Sequence, residues 1–354
     1  MSDNLSRILE NSMNNQALSD QDLACLLLCN EESDRQKIFA AAREVRRRIF
    51  GDKVFLYGFV YFSTFCHNDC NFCYYRSSNS EPHRYRKTNQ EIIATAKDLK
   101  DSGVHLIDLT MGEDDYYLKN GEKLVELVKE LKQECQIPVM VSPGVVSENV
   151  IRQLAAVGAD WYALYQETHN RNTFAKLRLN QDYDVRMNAK KEASSCGMLI
   201  EEGLLSGLGE STEDIIHSLH VMKELKVSQG RSMTFIPQQG TPMESKKQSD
   251  FLTELKIIAV MRLYLQDILI PASLDVDGIH GLRERLMAGA NVVTSIIPPQ
   301  KGFAGVANAY QDIDEGYRTV PGIQDVLKEC GLCQASRTEY EEWIEKRKAL
   351  LRTK

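Results

Sequence analysis

The 354-residue sequence predicts an α/β protein, a (β/α)8 barrel of the TIM type with helices before it and a helical extension after it. Three observations carry this prediction. From Val54 onward, short runs of β-branched and aromatic residues alternate with longer amphipathic segments, the pattern of repeated βα units around a parallel sheet. The alternation supplies eight such runs, enough to close a ring. Residues able to do chemistry recur where those runs end, and in a barrel the carboxyl ends of the strands form one face.

Residues 1–50 are expected to be helical. Ser19-Asp20-Gln21-Asp22 has the form of a capping box ahead of Leu23, Leu26 and Leu27, and Asp34 opens a basic amphipathic run that reaches Arg48. These helices are expected to close one end of the barrel. Arg43, Arg46, Arg47 and Arg48 suit nucleic-acid contact or a solvated helix face, and the acidic balance of the chain favours the second. The barrel itself is assigned to residues 51–299. Its strands are expected at 54–62, 105–110, 138–141, 161–165, 198–205, 232–236, 268–274 and 291–296. Helices are expected between them at 90–102, 121–135, 147–157, 185–196, 212–225, 251–265 and 278–288. After Pro298-Pro299 the chain turns polar, and residues 300–354 are expected to pack on the outside of the barrel, ending in a charged helix from Thr338.

Hydrophobic residues make up 43% and charged residues 26%, the balance of a soluble globular protein. No run has the length of a membrane span, and residues 1–30 lack the basic start and apolar core of a signal peptide, so no membrane partner and a cytoplasmic location are expected. A formal charge of −7 argues against a nucleic-acid partner, which needs a basic face. Nine cysteines without an export signal favour thiols and metal ligands over disulfides. Cys25, Cys29, Cys135 and Cys196 stand in apolar contexts and are expected to be buried small hydrophobes. Cys330-Gly331-Leu332-Cys333 is a second C-x₂-C, but no third ligand clusters near it and no strand leads into it.

Cys66, Cys70 and Cys73 differ from the others. Spaced C-x₃-C-x₂-C directly after the first predicted strand, they can direct three thiolates at one cubic cluster and leave its fourth iron open to an exogenous ligand. A zinc site recruiting His67 is the alternative, though three ligands within eight residues are tighter than the paired knuckles of structural zinc. Cys66, Glu113, Ser142, Glu167, Arg231 and Asp275 all fall near strand ends and can converge in one cavity.

The cysteine spacing, with aromatic Phe72 before the third cysteine, is the signature of the radical S-adenosylmethionine (SAM) enzymes, which the chain resembles. With Asp108-Leu-Thr-Met-Gly-Glu113, Ala163-Leu-Tyr-Gln-Glu-Thr168, Met233-Thr-Phe-Ile-Pro-Gln-Gln-Gly-Thr-Pro242 and Ile270-Pro-Ala-Ser-Leu-Asp275, it is similar to the methylornithine synthase family of pyrrolysine biosynthesis. Biotin synthase and the hydrogenase-maturation enzymes are more distant relatives. The likeness runs from the N-terminal helices to about residue 310.

The resemblance implies a [4Fe-4S] cluster on Cys66, Cys70 and Cys73, with SAM chelating the open iron and an electron donor of the flavodoxin or ferredoxin kind. Gly112 and Glu113 stand at the family's Gly-Gly-Glu motif, with Met111 replacing the first glycine. Glu167 with Arg186 is expected to hold SAM's amino and carboxylate groups; Arg178 is a rival for the cation, and Tyr165 lines the site. Asp108, Arg231, Ser273 and Asp275 match positions that hold an amino-acid substrate in the family, and Ser142, Ile236, Gln238 and Thr241 are expected to reach the same cavity.

The chemistry of these residues suits a lysine-like substrate independently. Arg231 and Ser273 suit its carboxylate, while Asp108 and Asp275 suit its two ammonium groups or else meet internal basic partners. The implied reaction converts L-lysine to (3R)-3-methyl-D-ornithine through a 5′-deoxyadenosyl radical, Cα–Cβ fragmentation and recombination. Because that radical comes from the cofactor, no residue is assigned a catalytic role, and none falls to His67, His105 or His169. A biotin-synthase-like sulfur inserter is the alternative, but it needs a second set of thiols at strand ends.

Overall fold

The structure, a computed structural model, describes residues 2–298 and 317–352. Three helices lead: α1 (Ser2–Met13), α2 (Asp20–Leu28) and α3 (Glu32–Phe50). The barrel follows with β1 (Lys53–Ser63), α4 (Asn89–Ser102), β2 (Leu106–Met111), α5 (Asp115–Lys119), α6 (Gly121–Cys135), β3 (Val139–Ser142), α7 (Glu148–Ala156), β4 (Trp161–Ala163), α8 (Arg171–Leu177) and α9 (Tyr183–Ser195). It continues with β5 (Leu199–Ser206), α10 (Thr212–Glu224), β6 (Gln229–Thr234), α11 (Phe251–Leu265), β7 (Pro271–Ser273), α12 (Leu282–Met287) and β8 (Val292–Ile296). The chain then forms α13 (Val320–Glu329), β9 (Cys333–Gln334) and α14 (Arg337–Arg352).

The strands run β6-β5-β4-β3-β2-β1-β8-β7, every ladder parallel, and a bridge from Gln229 to Leu269 brings the two ends of the sheet together. This is the expected (β/α)8 architecture. Strands in such a ring are covered on both faces, so β1 is buried along almost its whole length and shows no polar alternation. The helices start where local chemistry dictates. Ser19 and Asp22 exchange side-chain and backbone hydrogen bonds as a capping box, and Thr88 with Glu91 does the same at α4.

α1, α2 and α3 do not close the barrel's end as expected. They pack on its flank, against α10, α11 and α12. The reason is α11, whose residues Leu255, Ile257–Met261, Leu263 and Leu265 are buried all round, so that its outer side needs a second apolar layer. Ile8, Leu23, Leu26, Ile38 and Val45 supply it. The amino-terminal end of the barrel is closed instead by α14. Tyr340 and Ile344 join Phe55, Tyr57, Leu106, Met140, Trp161, Leu199 and Val292 in one cluster at the starts of the strands. Trp343 stacks on Trp161 with 5.9 Å between centroids, and Tyr340 Oη donates to Tyr57 Oη at 2.8 Å. Arg347 pairs with Asp267 and donates to the Val227 carbonyl.

Two strands are shorter than their sequence suggests, β4 ending at Ala163 and β7 confined to Pro271–Ser273. Beyond β4 the chain returns to β5 once, at Glu167, whose left-handed backbone at φ 65° bridges Leu204 through hydrogen bonds to Gly203 O and from Leu205 N. β6 starts earlier than expected, at Gln229, because its first residues, Gln229, Gly230 and Arg231, are buried without being apolar and so carry no hydrophobic signal. The expected 299/300 boundary between barrel and extension lies outside the described residues. Cys29 and Cys135 are buried, whereas Cys25 and Cys196 are only half-buried. Cys330 caps α13, and Cys333 pairs with β1, its sulfur against Lys53 and Asp52. Among the described residues no helix is long and apolar enough to cross a membrane.

Candidate active site

At the carboxyl ends of the strands one cavity of about 240 Å³ opens, lined at one side by Cys66, Cys70 and Cys73 and at the other by Asp108, Arg231 and Asp275. The cysteine loop follows β1 and is stitched to the end of β2. Gly112 N–H donates to Ser63 O at 2.9 Å, and His67 N–H donates to Glu113 O at 3.1 Å. The approach is so close that a Cβ on Gly112 would stand 2.3 Å from Phe65 O. Met111, where the family pattern has glycine, is buried and pairs with Ser63 in the β1–β2 ladder.

Burial pushes the Cys66 thiol up to about 11 and raises Cys73 as well, so a metal centre bound there would have to displace their protons. The donors around them fit thiolates. Gln181 Nε2 lies 3.0 Å and Arg178 Nη1 3.7 Å from Cys70 Sγ. Among the described residues no three His, Cys, Asp or Glu groups gather closely enough for one metal ion. His67, the fourth ligand of the zinc alternative, has both ring nitrogens engaged, Nδ1 with Asp115 at 2.9 Å and Nε2 with Glu113 at 3.5 Å. Three thiols around one wall, without a common point, suit a cluster several ångströms across.

Beside the cysteines stand two buried ion pairs. Arg186 Nη1 meets Glu113 Oε1 at 2.6 Å, and Arg178 Nη2 meets Glu167 Oε1 at 2.8 Å. Glu167, Arg186 and the rival cation Arg178 thus stand together at one cavity, each carboxylate matched to one guanidinium. Both guanidiniums also donate to Tyr165 O, at 3.0 Å from Arg178 and 2.9 Å from Arg186. Burial opposes ionisation of Glu113, but His67 and Arg186 outweigh it and bring its carboxyl down to about 2. Glu167 is shifted the other way, because complete burial exceeds the help from Arg178. Its Oε2 is buried without a partner among the described residues, as are Nε of Arg178 and of Arg186. Unspent polar atoms of both signs around one space are what a zwitterionic amino-acid moiety would satisfy.

The left-handed backbone at Glu167 is held from behind. Glu202 Oε1 accepts from Gln166 N at 2.7 Å and Gly203 N at 2.9 Å, while buried Lys190 pairs with Glu202 and donates to Gln166 Oε1. His169 lies 3.5 Å from the same carboxylate, and His105 bridges Leu56 N and Ala335 O.

On the far side, Asp108 from β2 accepts from Thr110 Oγ1 at 2.9 Å. Burial, reinforced by the nearby Glu201 carboxylate, pushes Asp108 up to about 7. Arg231 from β6 gives Nε to Glu201 Oε1 at 2.8 Å and Nη1 to Thr294 Oγ1 at 3.2 Å, leaving Nη2 without a protein partner among the described residues. Its guanidinium lies 5.6 Å from the Tyr165 ring centroid. Ser142, Ile236 and Gln238 also line the cavity.

One open alternative is decided here, and two expectations need correction. Asp275 lines the cavity and has the internal basic partner left open above, since Arg318 meets its Oδ1 at 2.8 Å and Ser295 Oγ donates to its Oδ2 at 2.7 Å. Ser273 does not line the cavity; its hydroxyl is turned to Asp275 N and Ser295 Oγ, where it fixes the loop. Thr241 is likewise turned away, donating to Gln238 O at 2.7 Å. Glu201, Arg318 and Gln181 were not anticipated. A pair of acids inside the apolar run Leu199-Ile-Glu-Glu-Gly-Leu-Leu205 was a usable signal for Glu201 and Glu202, because buried charges need partners. Nothing local to Arg318 marks it.

Comparison with known proteins agrees with this geometry. The family model of the radical SAM superfamily matches residues 60–222. The chain is 44% identical to the 3-methylornithine synthase of Methanosarcina acetivorans over 339 residues, 96% of this chain and 97% of that one. It is 32% identical to the [FeFe] hydrogenase maturase subunit HydE of Thermotoga maritima, covering 75% of this chain and 77% of that protein. A crystal structure of methylornithine synthase superposes with a TM-score of 0.91 at 42% identity, covering 95% of this chain and 99% of the other. The chain therefore belongs to the 3-methylornithine synthases, within the radical SAM superfamily.

Proposed function

We propose that the chain is a radical SAM intramolecular transferase that converts L-lysine into (3R)-3-methyl-D-ornithine for pyrrolysine biosynthesis. The observation that carries this reading is one cavity with a thiol wall and, across from it, Asp108, Arg231 and Asp275, with Glu201 paired to Arg231 and Arg318 to Asp275 outside the cavity lining. This end of the barrel gathers the carboxylates of Asp108, Glu201 and Asp275 and the guanidiniums of Arg231 and Arg318. When all are ionised they leave one negative charge, the complement of lysine with two ammonium groups and one carboxylate.

Cys66, Cys70 and Cys73 are the residues that would hold the [4Fe-4S] cluster. Gly112, Glu113, Tyr165, Glu167, Arg178 and Arg186 surround the space for SAM. When bound, this pair of cofactors supplies a 5′-deoxyadenosyl radical that takes a hydrogen atom from the substrate side chain. Arg231 is positioned to bind the substrate carboxylate through Nη2, and Asp108 to accept from an ammonium group, which would draw its proton off and favour its ionised form. Asp275, already matched by Arg318, shapes that end of the cavity and offers its remaining lone pairs. α14 keeps solvent from the barrel floor, a condition for chemistry whose fragments must recombine before water reaches them.

A flavodoxin- or ferredoxin-type donor would reach the cysteine loop where Phe65 is 40% exposed, and the enzyme would work in the cytoplasm. The test is anaerobic incubation of iron-loaded protein with SAM, dithionite and L-lysine. An isomer of unchanged mass supports the proposal. Failure to form 5′-deoxyadenosine, or a product of altered mass, refutes it.

A further inference from the structure

Between α8 and α9 the chain reverses through Asn180, at φ 59°, and this turn carries Gln181 toward the thiol wall of the cavity. Its amide meets three functional side chains. Nε2 lies 3.0 Å from Cys70 Sγ, while Oε1 accepts from Arg178 Nη1 at 3.3 Å and from Arg186 Nη1 at 3.2 Å. The opposite amide orientation would aim N–H groups at two guanidiniums and a lone pair at a sulfur, so the network itself selects this one. Arg178 continues to Glu167 and Arg186 to Glu113. One amide therefore joins a cluster cysteine to both ion pairs that flank the SAM space.

We propose that Gln181 is a positioning residue that couples the iron–sulfur cluster to SAM binding, its N–H donating to the Cys70 sulfur while its carbonyl oxygen holds Arg178 and Arg186 in register. The inference rests on the cluster assignment above. A hydrogen bond to a ligating sulfur favours the more electron-rich reduced cluster and raises its potential. The two guanidiniums carry like charge and turn toward the same amide, so a shared acceptor between them lowers their mutual repulsion and keeps each aligned with its carboxylate.

Two variants separate the two halves of this role. Gln181→Glu keeps an acceptor for the arginines but replaces the N–H donor, and Gln181→Leu removes both. Iron per chain, the cluster midpoint potential by EPR-monitored titration, and SAM affinity for the oxidised protein are measured on wild type and both variants. The expected result is wild-type iron content with a reduction equilibrium about tenfold less favourable in both variants, a fall of about 59 mV for a one-electron couple. SAM affinity falls about tenfold in Gln181→Leu and stays within about twofold in Gln181→Glu, the effect of about one lost charge-assisted hydrogen bond. Unchanged potentials in iron-replete variants would overturn the proposal, and so would equal SAM affinity in all three proteins. Failure of the wild type to take up iron would instead sink the cluster assignment on which it rests, a distinguishable result.

Discussion

Gly112→Ala tests the close approach of the cysteine loop to β2. The added Cβ would stand 2.3 Å from Phe65 O, 3.0 Å from Phe65 C and 2.9 Å from Cys66 Cβ. A carbon–oxygen contact tolerates about 3.3 Å, so the loop must retreat by about 1 Å, and two of the three atoms in its way are backbone that no rotamer change relieves. The retreat loosens the Gly112–Ser63 and His67–Glu113 hydrogen bonds and displaces Cys66 itself. The stability cost is about 1–3 kcal/mol, the range for forced overpacking. Cluster loading should suffer more than folding does. Reconstituted Gly112→Ala is expected to hold well under the roughly four irons per chain of a single cubane, with a circular-dichroism spectrum unchanged. Gly51→Ala is the control. Gly51 has φ 64° and ψ −136° and nothing within 4 Å of where an added methyl would stand, so that variant bears a backbone cost of about 1–3 kcal/mol far from the cysteines and keeps its iron. Full iron content and wild-type SAM affinity in Gly112→Ala would refute the steric reasoning.

Glu201→Gln leaves Arg231 buried without its counter-charge; unfolding by denaturant should show a loss of about 3–5 kcal/mol, and the KM for lysine should rise as the guanidinium loses its orientation. Asp108 sits at about 7 in the folded chain against an ordinary 3.8, so it is a group with a raised folded pKa. Its stabilising contribution is complete below about pH 4 and is lost as pH rises through 7. Thermal melts from pH 4 to 8 should accordingly show wild type losing stability relative to Asp108→Asn, and parallel curves would contradict the burial argument. Tyr340→Ala empties a fully buried position under the barrel and strands the Tyr57 hydroxyl; a loss of about 3–5 kcal/mol is expected in urea, with iron content retained because the cysteines lie at the opposite end.

The sequence by itself determined the ring of strands and the thiol wall. Both are local patterns: apolar runs of strand length separated by amphipathic helices, and three cysteines within eight residues that share one loop. The ends of α6 and α11 match the sequence expectation residue for residue, because a periodic apolar face and clear turn residues mark them. Positions at strand ends were enough to bring Cys66, Glu113, Ser142, Glu167, Arg231 and Asp275 to one cavity, since a closed barrel gathers every strand's carboxyl end on one face.

Tertiary structure alone decided who pairs with whom. Glu167 pairs with Arg178 and Glu113 with Arg186, partners drawn from separate segments of the chain, and no spacing rule encodes those pairings. Arg318 neutralises Asp275 from 43 residues away, and α14, not the leading helices, seals the floor. A buried charge must be matched, but sequence states only that a partner exists. Which partner it is depends on distances of a few ångströms between segments remote in the chain, and those are fixed only when the barrel closes.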